Sequence, residues 1–110
     1  MDDLKKMKLL KIYLADSRND QGRRLYEVIV EKAREMGIAG VTMYHQGLAG
    51  YGCREGEMRN MVPSLSQTPP IVIDVIDTPK VVDAFITEVK GIYKTGLMIT
   101  SMVDLAHRTS

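Results

Sequence analysis

A short glycine-rich segment near the middle of the chain has the residue types of a ligand-binding loop. It consists of Gly47, Leu48, Ala49, Gly50, Tyr51 and Gly52. Because glycine has no side chain, backbone amides here can approach a phosphate or an adenine closely. The spacing is not that of G-x-G-x-x-G opening a helix, so it does not predict a dinucleotide-binding motif. The alternative is a flexible connection that needs glycine only for its backbone angles.

Basic side chains lie within and beyond this region. Arg54 and Arg59 follow the glycines, and Lys94 and Arg108 lie near the C-terminus. A guanidinium group can hold a phosphate through two parallel hydrogen bonds. These residues are therefore candidate phosphate ligands, and the alternative for each is a solvated surface charge.

Metal-binding and catalytic patterns are weak in this sequence. His45, Cys53 and His107 show no metal-ligand spacing, and nothing orients the cysteine with a histidine as nucleophile and base. We therefore expect no metal site and no catalytic residue. Asp74 interrupts an apolar run, and a buried carboxylate is costly unless it is paired. We expect it to form a salt bridge between subunits.

Four segments have the patterns of β-strands. The first two alternate apolar and polar residues, and the third is a nearly continuous apolar run typical of a central strand. The predicted strands span residues 8–15, 39–46, 71–76 and 97–103.

Two segments have helical periodicity. Residues 22–36 place apolar residues at spacings of three and four, and Gly37 follows where a left-handed cap is favoured. The polar run 16–21 before this helix contains several N-cap candidates. The second helix begins with Thr78 as N-cap and Pro79 at its first position.

The order β-α-β-β-α-β predicts one α+β, ferredoxin-like domain over residues 1–110. Two right-handed crossovers give a four-stranded antiparallel sheet with both helices on one face. Residues 47–70 form a long flexible loop, which in a compact domain is usually functional or disordered. An apolar opposite face usually marks an interface, so we expect self-association to bury it. Its predicted members are Tyr13, Thr42, Tyr44, Val72, Ile76, Met98 and Met102.

Length, charge and cysteine content limit the possible functions. The 110 residues suit one domain, and a net charge of +1 argues against a protein that acts mainly on nucleic acid. A single cysteine cannot form an internal disulfide. We find neither a secretory signal nor an apolar run long enough to span a bilayer, and we therefore expect a cytoplasmic protein that is not itself a membrane protein.

Several motifs together indicate a family. They are IYL, GRRLYE, AREMGIAGV and GLAGYG, in that order, followed more weakly by PPIVIDVIDTP and TGLMITS. The chain resembles the PII-like signalling proteins, specifically domain-of-unknown-function family 190, from about Leu9 to Val103.

This resemblance implies a ferredoxin-like fold assembled as a homotrimer. Such a protein would bind an adenine nucleotide as an effector in clefts between subunits, without requiring a cofactor. The 47–70 loop would change shape with the ligand and contact a partner protein, for which a membrane transporter is one candidate.

Two stretches depart from what the resemblance implies. Related PII proteins hold phosphates with a Gly-Asp-Gly-Lys stretch before the last strand, whereas this chain has Lys94, Thr95 and Gly96 there. Those three residues remain candidate nucleotide ligands, and AMP or ADP becomes favoured over ATP. A gapless alignment from Gly96 places Arg108 where PII proteins have a phosphate-contacting arginine. Many closer relatives have a histidine in the long loop, which residues 56–59 lack.

Other functions remain as alternatives. One is a non-catalytic oligomer that binds no nucleotide. Another is a small RNA-binding module, but such modules stack bases on aromatic residues of central strands, and IVIDVI has none. A third is an acyl-phosphate hydrolase, which needs a phosphate loop with an arginine directly after the first strand; residues 16–19 match that only faintly. We expect a regulatory protein rather than an enzyme.

Overall fold

The computed structural model describes residues 5–14, 21–45, 71–92 and 96–109. These contain four strands and two helices in the order β-α-β-β-α-β, which confirms the predicted ferredoxin-like class. No helix in this described part is long and apolar enough to cross a membrane. The elements are β1 (Lys5–Leu14), α1 (Leu25–Glu35), β2 (Gly40–His45), β3 (Ile71–Asp77), α2 (Pro79–Val89) and β4 (Gly96–Leu105).

The four strands form one antiparallel sheet in the order β2-β3-β1-β4. The apolar β3 is central, as predicted, and β2 and β4 are the two edges. Ile12 of β1 lies opposite Ile73 of β3 on one side and Met98 of β4 on the other. Because successive side chains of a strand point to opposite faces, this register fixes which face each residue occupies.

The hydrophobic core lies between the sheet and the two helices. Each residue of this cluster is at most 1% exposed, and no polar or charged residue is buried among the described residues. One chain therefore completes this layer without help from another. The sheet contributes Leu10, Ile12, Leu14, Ile71, Ile73 and Val75, and the helices contribute Ile29, Ala33, Val82, Phe85 and Val89.

The helix ends follow local backbone chemistry. The first helix starts at Leu25 with Arg24 as N-cap, so the expectation of an N-cap within 16–21 is wrong. Gly22 has a φ of 82°, a left-handed angle that a helix cannot contain, and the helix therefore begins beyond it. Gly37 has a φ of 71°, as a left-handed cap requires. Thr78 is the N-cap of α2, as predicted.

The last strand differs from the prediction in length and orientation. It extends to Leu105, and its pairing places Met98 and Met102 opposite Ile12 and Lys8. Both methionines thus lie on the helix-covered face, and their predicted place on the opposite face is wrong. Alternation within one strand does not say which set of residues faces the helices, because both sets in β4 contain large apolar residues.

Candidate functional site on the open face and one end of the sheet

The face of the sheet away from the helices, called here the open face, has no covering layer among the described residues. The register confirms five predicted members, Tyr13, Thr42, Tyr44, Val72 and Ile76. Leu97 and Ile99 of β4 also lie here, and each is 46% exposed. A large exposed apolar patch usually marks an interface.

A polar cluster occupies the middle of the open face. Lys11 Nζ donates to Asp74 Oδ1 at 2.9 Å and to the Tyr44 hydroxyl at 3.1 Å. The Tyr44 hydroxyl donates in turn to Asp74 Oδ2 at 3.1 Å. The Asp74 carboxylate is thus paired with a lysine of its own chain, and the salt bridge expected between subunits stays a prediction.

The charges and hydrogen-bond acceptors of this cluster are satisfied within the cluster itself. The hydrogen bonds that Lys11 donates to Asp74 and, to a lesser extent, to Tyr44 raise the pKa of Lys11 above the usual lysine value, so the ammonium stays charged at neutral pH. The two charges neutralise each other, and each acceptor oxygen of Asp74 has a donor. The arrangement stabilises three strands against one another and leaves no free general base.

Most of the predicted nucleotide ligands follow β2 or precede β4 in the sequence. His45, Ile71, Leu14 and Gly96 form the last paired row across the four strands, so β2 ends and β4 begins at the same end of the sheet. His45 and Gly96 belong to the two opposite edges of the sheet, separated by three strand spacings of roughly 4.8 Å each.

Two of the predicted nucleotide ligands belong to the described residues. Gly96 is the first residue of β4, with a φ of 155° that favours glycine. Arg108 is exposed and lies three residues beyond Leu105, at the opposite end of a ten-residue strand of roughly 34 Å. The structure therefore does not bring Gly96 and Arg108 together within one chain. The other predicted ligands lie outside the described residues: Gly47, Leu48, Ala49, Gly50, Tyr51, Gly52, Arg54, Lys94 and Thr95.

A cleft between α1 and β2 is a feature that the sequence analysis missed. It has a volume of about 540 Å³, and both apolar and charged side chains line it. Tyr26 and Val30, spaced by four residues, widen the apolar stripe of α1 toward β2 and could have indicated it. The apolar lining residues are Val30, Ala33, Ile38, Val41 and Met43, and the others are Arg23, Tyr26, Glu27, Glu31 and Arg34.

Two curated relatives align with most of the chain. The UPF0166 protein of Aquifex aeolicus is 28% identical over 102 residues, covering 93% of this chain and 95% of its own length. The UPF0166 protein of Methanocaldococcus jannaschii is 32% identical over 95 residues, covering 86% of each chain.

Solved structures share the fold at low sequence identity. The structure of CPII from Thiomonas intermedia, described as bound to ADP and bicarbonate, has a TM-score of 0.69 at 14% identity. It covers 96% of this chain and 93% of its own. Another structure of CPII, described as a nitrogen regulatory PII-like protein, holds ADP, AMP and bicarbonate. At this identity the likeness establishes the PII-like, ferredoxin-like fold.

The family pattern agrees with the motifs found in the sequence. The sequence pattern of domain-of-unknown-function family 190, described as "Uncharacterized ACR", matches residues 7–105 of this chain. The match spans every strand and helix of the described fold, from within β1 to the last residue of β4. The resemblance inferred from the sequence is confirmed, and the chain belongs to domain-of-unknown-function family 190.

Proposed function

We propose that this chain is a PII-like regulatory protein that works as a homotrimer and binds an adenine nucleotide at its subunit boundaries. The observation that carries the proposal is the last row of the sheet, His45 to Gly96, where both glycine-containing candidate segments meet the fold. The ADP and AMP held by CPII, which shares this fold, support the class of ligand.

The open face supports self-association. Its middle is already neutral, because Lys11 and Asp74 are paired, and its β4 side exposes Leu97 and Ile99. Covering it buries apolar surface without leaving the carboxylate of Asp74 unpaired. We therefore assign this face to the interior of the trimer.

The position of Arg108 supports a ligand shared between subunits. It lies at the far end of β4 from Gly96, so one chain cannot place both against the same phosphate. An arginine from a neighbouring copy can complete the set. The backbone amides of the 47–52 segment and of Gly96 would then hold the nucleotide, with Arg54, Lys94 and the neighbouring copy's Arg108 supplying positive charge.

The short connection before β4 favours AMP or ADP over ATP. Only Lys90 to Thr95 separate the end of α2 from Gly96, and this stretch has no Gly-Asp-Gly-Lys sequence. Fewer backbone amides are therefore available for a third phosphate. The nucleotide acts as an effector in this account, and no cofactor or catalytic group is required.

The long 47–70 segment is the proposed contact with a partner protein. It connects to the fold at the ligand end of the sheet, so a nucleotide held there can change its conformation directly. A membrane transporter is one candidate partner, and the proposed place of action is the cytoplasm.

Calorimetric titration of the assembled protein with AMP, ADP, ATP and cyclic AMP tests the proposal. We expect AMP or ADP to bind more tightly than ATP. Arg108→Ala should weaken binding of the preferred nucleotide by about tenfold, because one charged contact to a phosphate is lost. Lys80→Ala, at an exposed position on α2, is the control and should bind as the wild type does. A folded trimer that gives no heat with any of these nucleotides would contradict nucleotide binding.

A further inference from the structure

We propose that the cleft between α1 and β2 binds a zwitterion about 10 Å long with an apolar middle, of which a short apolar peptide with free ends is the natural example. The β2 residues that line the cleft, Val41 and Met43, lie on the helix-covered side of the sheet, opposite the open face. The cleft is therefore a second ligand site, and the proposal goes beyond nucleotide binding.

The cleft has the size and the lining of a small-molecule site. Its volume of about 540 Å³ lies within the range of ligand pockets, which combine apolar walls with a few polar groups. The apolar walls come from Val30 of α1 and from Val41 and Met43 of β2, with Ile38 between the two elements. Met43 is 39% exposed, so apolar surface remains for a ligand to cover.

The charges that line the cleft leave one group of each sign for a ligand. Arg23 Nη2 lies 2.9 Å from Glu31 Oε2, and this ion pair neutralises two of the lining charges. Glu27 and Arg34 also line the cleft, are exposed, and form no ion pair within the part of the chain that the structure describes. A ligand with one ammonium and one carboxylate group complements this carboxylate and this guanidinium.

The spacing of the two charges sets the length of the ligand. Glu27 and Arg34 are seven residues apart, so they lie on the same side of α1, with about 10.5 Å between their Cα atoms along the axis. An extended peptide spans roughly 3.3–3.6 Å per residue, so three residues match this distance and one amino acid does not. The amino end of the peptide lies at Glu27 and its carboxyl end at Arg34, with apolar side chains against Val30 and Met43.

Calorimetric titration with trivaline tests the chemistry of the ligand. We expect trivaline to bind at least tenfold more tightly than N-acetyl-trivaline amide, which has the same side chains and neither charge. Free valine should bind at least tenfold more weakly than trivaline, because it cannot reach both charged residues. No binding of trivaline, or equal binding of the charged and the capped peptide, would overturn the proposal.

Substitutions at exposed positions of α1 test the location. Glu27→Gln and Arg34→Gln should each weaken trivaline binding by about tenfold, whereas Glu35→Gln, on α1 outside the cleft, is the control and should bind as the wild type does. The double variant Glu27→Arg, Arg34→Glu should restore binding, because the peptide can then lie in the opposite direction. Wild-type affinity in both single variants, or no recovery in the double variant, would overturn this site. Nucleotide binding, measured separately, tests the proposed function alone.

Discussion

The two faces of the sheet are built on different principles. On the helix-covered face, Ile12, Ile73 and Phe85 are fully buried among apolar neighbours from the same chain. On the open face, a lysine and an aspartate occupy the middle, and large apolar side chains toward the β4 edge remain almost half exposed.

This difference distinguishes the face that stabilises the monomer from the face that is available for contact with another molecule. The covered face has its full layer within the described chain, whereas the open face has the polar groups at its middle satisfied but leaves Leu97 and Ile99 of β4 uncovered. Burying such a surface costs little free energy of desolvation, because its central polar groups are already paired, and removes apolar area from water. In the proposed function, the first face mainly stabilises the fold and the second is the proposed surface of assembly.

The sharpest test of this division compares the same substitution, isoleucine to alanine, at one position on each face. Ile73→Ala, at a fully buried position, should lower the free energy of unfolding by about 2–5 kcal/mol through lost burial and the cavity left behind. Ile99→Ala, at a 46% exposed position, should cost less than about 1 kcal/mol when measured on dilute, dissociated protein. Urea denaturation measures both, and equal losses at the two positions would remove the distinction between the faces.

A smaller effect is expected from the polar cluster of the open face. Lys11→Met should lower stability by about 1–2 kcal/mol, since Asp74 loses its charged donor while about a quarter of its side chain remains in contact with water. A double-mutant cycle with Asp74→Asn measures the coupling. If the losses of stability in the two single variants simply add in the double variant, the interaction between Lys11 and Asp74 contributes nothing to the free energy of unfolding.

The same pair sets a pH dependence at the alkaline end. Folding raises the pKa of Lys11, so its stabilisation is complete below the ordinary lysine pKa and is lost as pH rises through the raised value. The stability difference between wild type and Lys11→Met should stay constant from pH 7 to about 9 and shrink only above the usual lysine range. A difference that disappears near neutral pH would contradict this assignment.

The smallest predicted effect concerns the covered side, at the turn that leads from α1 into β2. Gly37→Ala should cost about 1 kcal/mol, because its φ of 71° is unfavourable for any residue with a Cβ. Gly91→Ala, where the new methyl would meet only the Glu88 carbonyl oxygen at 3.8 Å, should change stability little. Equal thermal shifts in the two variants would argue against a conformational role for Gly37.

Sequence patterns predicted the elements well because their periodicities are strong and local. The apolar run of β3 marked it as a central strand, and Thr78 and Pro79 marked the start of α2. Patterns could not orient β4, since Leu97 and Met98 are equally apolar, and only pairing with β1 decides between them.

The polar cluster of the candidate site was even harder to predict than the orientation of β4, because it is formed by residues far apart in the sequence. Lys11, Tyr44 and Asp74 lie on three different strands, and no spacing in the sequence joins them. Asp74 stood out as a charge in an apolar run, but its partner lies 63 residues away. The predicted ligands of the 47–54 segment came from glycine content and family resemblance, and they stay a prediction.

Sedimentation equilibrium of the wild-type protein tests the central claim, that copies of this chain cover the open face. The account predicts a mass of about 37 kDa, three times the 12.3 kDa of one chain, at micromolar concentration. A mass of 12.3 kDa that does not change as the protein is concentrated would contradict it.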